Sequence, residues 1–327
     1  MTEHLELDPV PACPAHRTTR RRFTPDPSYA AIAALVVLVV VNALVTPHFA
    51  TASNLWNALL QTSPVLIVAV GMTLVIAAGG IDLSVGSVMA VAGAVTAILL
   101  DYGVGVAVVA GLAAATLVGV LNGTIIAANR VQPIVVTLAT LIAGRGLAQV
   151  ISHDGELVTI NDAGFAILGR GLVGPVPGQV VIALATVGVA AFLIRATTFG
   201  RYMLAIGGNP AAARLAGVPI RRTLVCVYAA SGFVAGVAGL IVASRLGASD
   251  AAKSGQNMEL DAIAAVVVGG TALSGGRATI AGTVVGALIM QVIATSANML
   301  LVPYAWSLAF KSAIILVAVY LQRPRRE

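Results

Sequence analysis

Ile206-Gly-Gly-Asn-Pro-Ala-Ala-Ala-Arg-Leu-Ala-Gly-Val-Pro-Ile220 is the stretch on which the reading of this chain turns. Asn209 is a good N-cap, and Pro210 takes the first helical position, where its missing N–H is no loss. Ala211 to Ala216 are mostly strong helix formers, Gly217 suits a left-handed C′ position, and Pro219 stops the helix. The signals predict a helix of about two turns, roughly 10 Å long. Isolated helices shorter than about 12 residues are marginal in water. A capped helix this short, with Ala212, Ala213 and Ala216 small enough to admit another backbone, is expected to dock on something.

The rest of the chain says what it serves. Of 327 residues, 58% are hydrophobic and 10% charged, and the mean hydropathy is +0.97. A soluble domain carries about 25% charged residues. The composition predicts an all-α polytopic membrane protein folded as one domain. Cys13 and Cys226 make no disulfide framework, and histidines 4, 16, 48 and 153 make no metal cluster. The net charge of +6 follows from membrane topology rather than from nucleic-acid binding.

Residues 1–27 are polar and Pro-rich and read as a disordered cytosolic tail. Thr19-Arg-Arg-Arg-Phe23 resembles a twin-arginine export signal, but Tyr29–Val45 reads better as a first span anchored by inside arginines. Apolar segments near 57–78, 84–100, 104–128, 133–151, 179–195, 222–244, 260–271, 278–297 and 303–321 bring the total to about ten, the eighth being short for a simple span. They make up a transmembrane domain over 28–322, with an external loop at 152–178, a cytosolic loop at 205–221 and a basic tail at 323–327. With the N-terminus inside, 14 of the 19 basic residues fall inside, from Arg17 through Arg130, Arg195, Arg201, Arg214, Arg221, Arg222 and Arg277 to Arg326. Arg170, Arg245 and Lys253 fall outside, and Arg145 and Lys311 lie within spans. This bias predicts that both termini and the docking helix are cytosolic.

Gly79-Gly-Ile-Asp-Leu-Ser-Val-Gly-Ser87 aligns without gaps on Gly269-Gly-Thr-Ala-Leu-Ser-Gly-Gly-Arg277, five of nine positions being identical. Both interrupt an apolar run on the inner side, as in transporters built from repeats with broken helices, so an internal repeat and some broken or re-entrant segments are expected. Other motifs are decoys. Gly247–Ser254 nearly spells a Walker A loop but has Ala252 before the lysine. Gly169–Gly174 fits a dinucleotide pattern without a βαβ unit, and Leu273-Ser-Gly-Gly-Arg277 mimics the signature of cassette ATPases.

Sparse polar residues in spans are candidates for a pathway: Asp82, Ser84, Asn122, Thr137, Thr140, Arg145, Gln149, Gln291, Thr295 and Asn298. Each also reads as an interhelical hydrogen bond. Asp82 or Ser84 caps the helix after Gly79-Gly80, and Asp82 also reads as a gate charge. Arg145 has three readings: a pair with Asp82, a pathway residue, or a side chain reaching for the interface. An ion-coupled transporter would need more intramembrane carboxylates than Asp82, and no nucleophile–base pair suggests a membrane enzyme.

Three stretches together, Gly79–Ser87, Asn209–Ile220 and Glu259–Gly276, resemble the ribose/xylose-type permease family of binding-protein-dependent ABC importers, a likeness that covers roughly residues 30–321. The resemblance implies a permease pair, here a homodimer, in the cytoplasmic membrane. It implies a cytosolic ABC ATPase that carries the ATP and Mg, so that this chain binds no cofactor and is no enzyme. A periplasmic or lipid-anchored sugar-binding protein would deliver a monosaccharide. Residues 208–218 would be the coupling helix, with Gly208, Asn209, Pro210, Ala212, Ala213, Arg214, Ala216 and Gly217 as its contact set.

Overall fold

The computed structural model describes residues 27–129 and 131–321. The tail up to residue 26 with Cys13 and the twin-arginine stretch, Arg130, and residues 322–327 lie outside the described residues. The helices are α1 (Pro27–Val45), α2 (Ala52–Ala77), α3 (Val85–Leu99), α4 (Val104–Asn129), α5 (Pro133–Ile151), α6 (Ala163–Arg170), α7 (Gly178–Ala196), α8 (Thr198–Gly208), α9 (Pro210–Leu215), α10 (Ile220–Leu246), α11 (Met258–Val268), α12 (Ile280–Met299) and α13 (Tyr304–Leu321). Two-residue strands β1 (Val158–Thr159) and β4 (Ala248–Ser249) pair antiparallel, as do β2 (Leu172–Val173) and β3 (Val176–Pro177).

A helix stands at each of the ten predicted places, but among the described residues seven are long and apolar enough to cross a membrane: α2, α3 with its following 3₁₀ turn, α4, α5, α7, α10 and α12. Two further helices stand outside the predicted segments: α6, which divides the 152–178 loop, and α8, which lies within the connection to the docking helix. α8 starts where Thr197, extended at φ −111°, ψ 160°, breaks α7 and accepts from Gly200 N.

α2 and α10 form the centre. Residues 66–77 of α2 are buried throughout, and α10 packs along α2, α3 and α4. α4 presents a stripe of small, buried residues at every fourth position, Ala107 and Gly111 against α3 and Ala115, Gly119 and Gly123 against α10. A Cβ on Gly119 would overlap the Tyr228 carbonyl of α10. Helix axes approach closely through such stripes, since association in lipid relies on packing rather than on a hydrophobic drive.

Both helix breaks use one device. Gly79 (φ +85°) donates to Ile76 O at 2.9 Å and Gly80 N to Val75 O at 3.0 Å. Gly270 (φ +87°) donates to Val267 O at 2.9 Å and Thr271 N to Val266 O at 3.2 Å. These are two Schellman ends with glycine at C′. The local geometry is repeated, but it matches Gly79 with Gly270, one position off the ungapped alignment.

The segment after Gly80 does not stay at the inner side as expected. Along α10 its contacts run from Tyr228 beside Gly80, to Ser231 on Asp82, to Gly239 beside Met89. Ser231 is eleven residues from Ile220, about 16 Å along an axis of about 40 Å, so Asp82 sits at mid-depth. α3 is therefore a partial helix that starts inside the molecule. The 247–257 loop dips from the opposite end to meet it: a Cβ on Gly86 would overlap the Gly255 carbonyl. α11 begins there, not earlier, which is why the eighth segment is short. Lys311 of α13 pairs with Asp261 of α11 at 2.7 Å, giving a role in packing to a lysine that the sequence left unassigned.

Candidate functional site

The docking segment has the predicted form. Asn209 Oδ1 accepts from Ala211 N at 3.1 Å and Ala212 N at 3.0 Å, and Pro210 is the first residue of α9. Gly217 (φ +75°) donates to Arg214 O and Val218 N to Ala213 O, again a Schellman end, with Pro219 after it. Gly208, Asn209, Pro210, Ala212, Arg214, Ala216 and Gly217 are exposed. Ala213 is not: it is 4% exposed and turned onto its own chain, against the expectation that it faces a partner. The residue that points away is Leu215, 91% exposed, which is not in the expected contact set.

Just before this helix, glycine backbones bring three segments together. Gly276 N donates to Ala77 O at 2.9 Å, joining the break after α11 to the end of α2. Gly207 is wedged on that joint, where a Cβ would overlap the Ala77 carbonyl and lie 2.6 Å from Gly276 N. A Cβ on Gly275 would lie 3.0 Å from Gly79 Cα. Arg195, Arg201, Arg214, Arg221, Arg222 and Arg277 are all carried at this end, on or beside α7 to α10 and the Gly276 turn. A cavity of about 600 Å³ runs from Arg214, Arg221 and Arg222 to Gly79, Gly80 and Tyr228. Among the described residues the buried Tyr228 hydroxyl has no hydrogen-bond partner.

Above it lies a polar chain. Asp82 Oδ1 accepts from Ser84 N at 3.0 Å and Ser84 Oγ at 2.6 Å, and Oδ2 accepts from Ser231 Oγ at 2.8 Å. Asn122 Nδ2 donates to Ser84 Oγ at 3.0 Å, and Thr140 Oγ1 donates to Asn122 Oδ1 at 2.6 Å. Thr137 Oγ1 reaches Ile81 O at 3.2 Å. The structure thus unites Asp82, Ser84, Asn122, Thr137 and Thr140, from the break, α4 and α5, and adds Ser231, which sequence could not tell from any other serine in an apolar helix. Ser84 holds the N-cap position of α3 without a side-chain cap bond. Asp82 instead closes a turn onto Ser84 and ties it to α10.

Arg145 does not pair with Asp82. Its Nη1 donates to Ala251 O at 2.9 Å and Ser254 O at 2.6 Å, holding the loop that dips toward Gly86. Gln291 and Thr295 form a separate group on α12: Gln291 Nε2 donates to Thr295 Oγ1 at 3.0 Å and to Gln61 Oε1 of α2 at 3.2 Å. Gln149 is half-buried near the end of α5 and Asn298 exposed near the end of α12, both outside these networks. The three decoys lie where no nucleotide fold exists: in the loop before α11, at the end of α6 with its hairpin, and in the break before α12.

The family described as branched-chain amino acid transport system / permease component matches residues 54–319. The chain belongs to this permease family. The ribose import permease protein of Haemophilus influenzae is 40% identical over 292 residues, 88% of this permease and 90% of that protein. The galactofuranose transporter permease protein of Escherichia coli is 38% identical over 328 residues, covering 95% and 94%. The L-arabinose ABC transporter permease protein of Azospirillum brasilense is 37% identical over 293 residues, covering 89% and 86%. No solved structure matches the permease. It is a transport subunit with several apolar helices long enough to cross a membrane.

Proposed function

We propose that this chain is the membrane subunit of an ATP-driven importer that passes a monosaccharide from an external binding protein to the cytosol. The observation that carries the mechanism is the wedge of Gly207 against Ala77 and Gly276. α9 starts three residues after Gly207, so a push on α9 bears on the end of α2 and on the break after α11 at once. Packed interfaces of this kind switch between discrete arrangements rather than bending smoothly. A cytosolic ATPase seated on α9 and Leu215 would thus move both broken segments and change access to the cavity that ends at Tyr228. ATP and Mg belong to that ATPase.

The arginines around α9 support a cytosolic position for this end, by the positive-inside rule. With α1, α13 and the α11 break added to the seven long helices, the chain makes about ten membrane segments, some broken, with both termini cytosolic. A homodimer supplies the two halves of the conduit. The ribose, galactofuranose and arabinose named for the relatives favour a sugar over the amino acids in the family's description. So do the polar residues: amides and hydroxyls suit sugar hydroxyls, whereas an amino-acid zwitterion calls for paired charges. Asp82, held by three hydrogen bonds, is spent on structure, which leaves little for the ion-coupled alternative.

The test is reconstitution with a cassette ATPase and solute receptor from the same genome, followed by ATP-dependent uptake of labelled pentoses, hexoses and leucine. Sugar uptake that stops without ATP is expected. Leucine uptake without sugar uptake would sink the substrate assignment, and uptake driven by an ion gradient without ATP would sink the importer class.

A further inference from the structure

Most of α2 is buried, but its first turns, at the end of the molecule away from α9, are not. Ser53, Asn57 and Gln61 are exposed and recur at every fourth residue, so they share one helix face. Gln61 lies nine residues in from Ala52, about 14 Å along the axis. Gln291 lies eight residues before Met299 on the antiparallel α12, about 12 Å from the same end. The Gln291–Gln61 bond holds the two amides level at that depth, with Thr295 beside them and Asn298 exposed one turn beyond.

Gln61 accepts from Gln291, and among the described residues its own Nε2 has no partner. Acyl chains offer that donor nothing, so an amide face open at this depth requires water or another polar wall. The contrast on the same helix is sharp: Leu55, Trp56 and Leu59 are exposed too, and they are apolar. One face of α2 is made for lipid and its neighbour is not. We propose that the exposed Asn57–Gln61 face, backed by the buried Gln291 and Thr295, lines a water-filled entry to the conduit, closed off from lipid by the same face of a second copy of this chain, and that its amides bind the hydroxyls of the passing sugar. A lone helix face cannot hold water against lipid; a two-fold copy of it closes the wall with no new chemistry. This deepens the importer reading above and rests on it.

The full transporter, with its ATPase and receptor, is tested with Cys13 and Cys226 replaced by serine. Single cysteines are introduced as Asn57→Cys, Gln61→Cys and, as the lipid-facing control, Leu59→Cys. A membrane-impermeant thiol reagent is applied from the external side, and a short bifunctional thiol reagent probes links between copies. A thiol in water ionises and reacts, one in lipid does not, so the first two should label about tenfold faster than the control. One of them should also link two copies, and Gln61→Leu should raise KM for uptake with assembly unchanged. Equal labelling of positions 61 and 59 would mean the face meets lipid, and linking without labelling would mean a dry interface; either overturns the proposal. Uptake by the cysteine-free parent is measured in the same preparation. A parent that transports while position 61 stays unlabelled defeats only this inference, and one that moves no sugar defeats the importer reading beneath it.

Discussion

The Arg245 guanidinium supplies the hydrogen bond that Pro64 withholds. Proline has no N–H, so the carbonyl four residues before it loses its helical donor. That carbonyl is Leu60 O, and Arg245 Nη1 of α10 donates to it at 3.2 Å. The two central helices are therefore tied at the point where one of them is interrupted.

Arg245→Met is expected to lower stability by about 1–3 kcal/mol, the penalty for leaving a partly buried carbonyl unmatched. In a Pro64→Ala background the residue 64 amide can bond Leu60 O itself. The same arginine change should then lose about 1 kcal/mol less. Thermal unfolding of the four proteins in detergent reads this as a difference of differences; equal losses in both backgrounds would refute the link.

Asp82 is expected to act as a fixed acceptor rather than as a charge. Asp82→Asn keeps an oxygen for the Ser84 amide and hydroxyl and turns an N–H₂ toward Ser231, whose hydroxyl can accept in return. It should retain most expression and uptake. Asp82→Leu strands Ser84 and Ser231 in the interior and should lose about 2–6 kcal/mol, since each buried orphan is worth roughly 1–3 kcal/mol. If Asn fails as badly as Leu in uptake while folding normally, the charge itself is needed.

The glycine wedge makes a steric prediction. A methyl at Gly207 meets the Ala77 carbonyl and the Gly276 amide, both rigid backbone, whereas a methyl at Gly208 finds its nearest neighbour 3.9 Å away. Gly207→Ala should therefore destabilise by about 1–3 kcal/mol and cut uptake, as overpacking does. Gly208→Ala should match the parent. Folded yield and uptake in cells separate the two, and a well-behaved Gly207→Ala would remove the wedge from the mechanism.

The helices were legible because apolar length, Gly-Gly ends, Asn-Pro starts and Gly-x-Pro stops act within a few residues of chain. All ten predicted segments have a helix near the predicted bounds, and Asn209, Pro210 and Gly217 do what their chemistry suggests. What sequence hid was depth and partnership. Nothing local says that Asp82 climbs to mid-depth to meet Ser231, that Arg145 reaches for loop carbonyls 106 and 109 residues away, or that Arg245 answers Pro64. Those pairings are settled by which helices pack together, and in a uniformly apolar chain periodicity carries little of that information.

The docking helix gives the last test, and the structure changes which residue should be altered. Ala213 was the natural target by size, but it is buried on its own chain, so Ala213→Trp should damage the permease itself and lower its yield in the membrane. Leu215 is the informative site. It is 91% exposed at the end of α9, beyond the spans, and has no packing to lose within the chain. An exposed apolar side chain on a short capped helix is what a partner's groove would take as an anchor, with near-neutral residues around it. Leu215→Glu should leave insertion and thermal stability unchanged, while co-purification of the ATPase falls at least about tenfold, the equivalent of 1.4 kcal/mol or more. Sugar uptake should fall with it, and basal ATP hydrolysis by the ATPase alone should not change. If Leu215→Glu keeps both its ATPase and normal uptake, α9 is not the seat of the ATPase. The wedge at Gly207 would then be static packing rather than the relay of an ATP-driven motion.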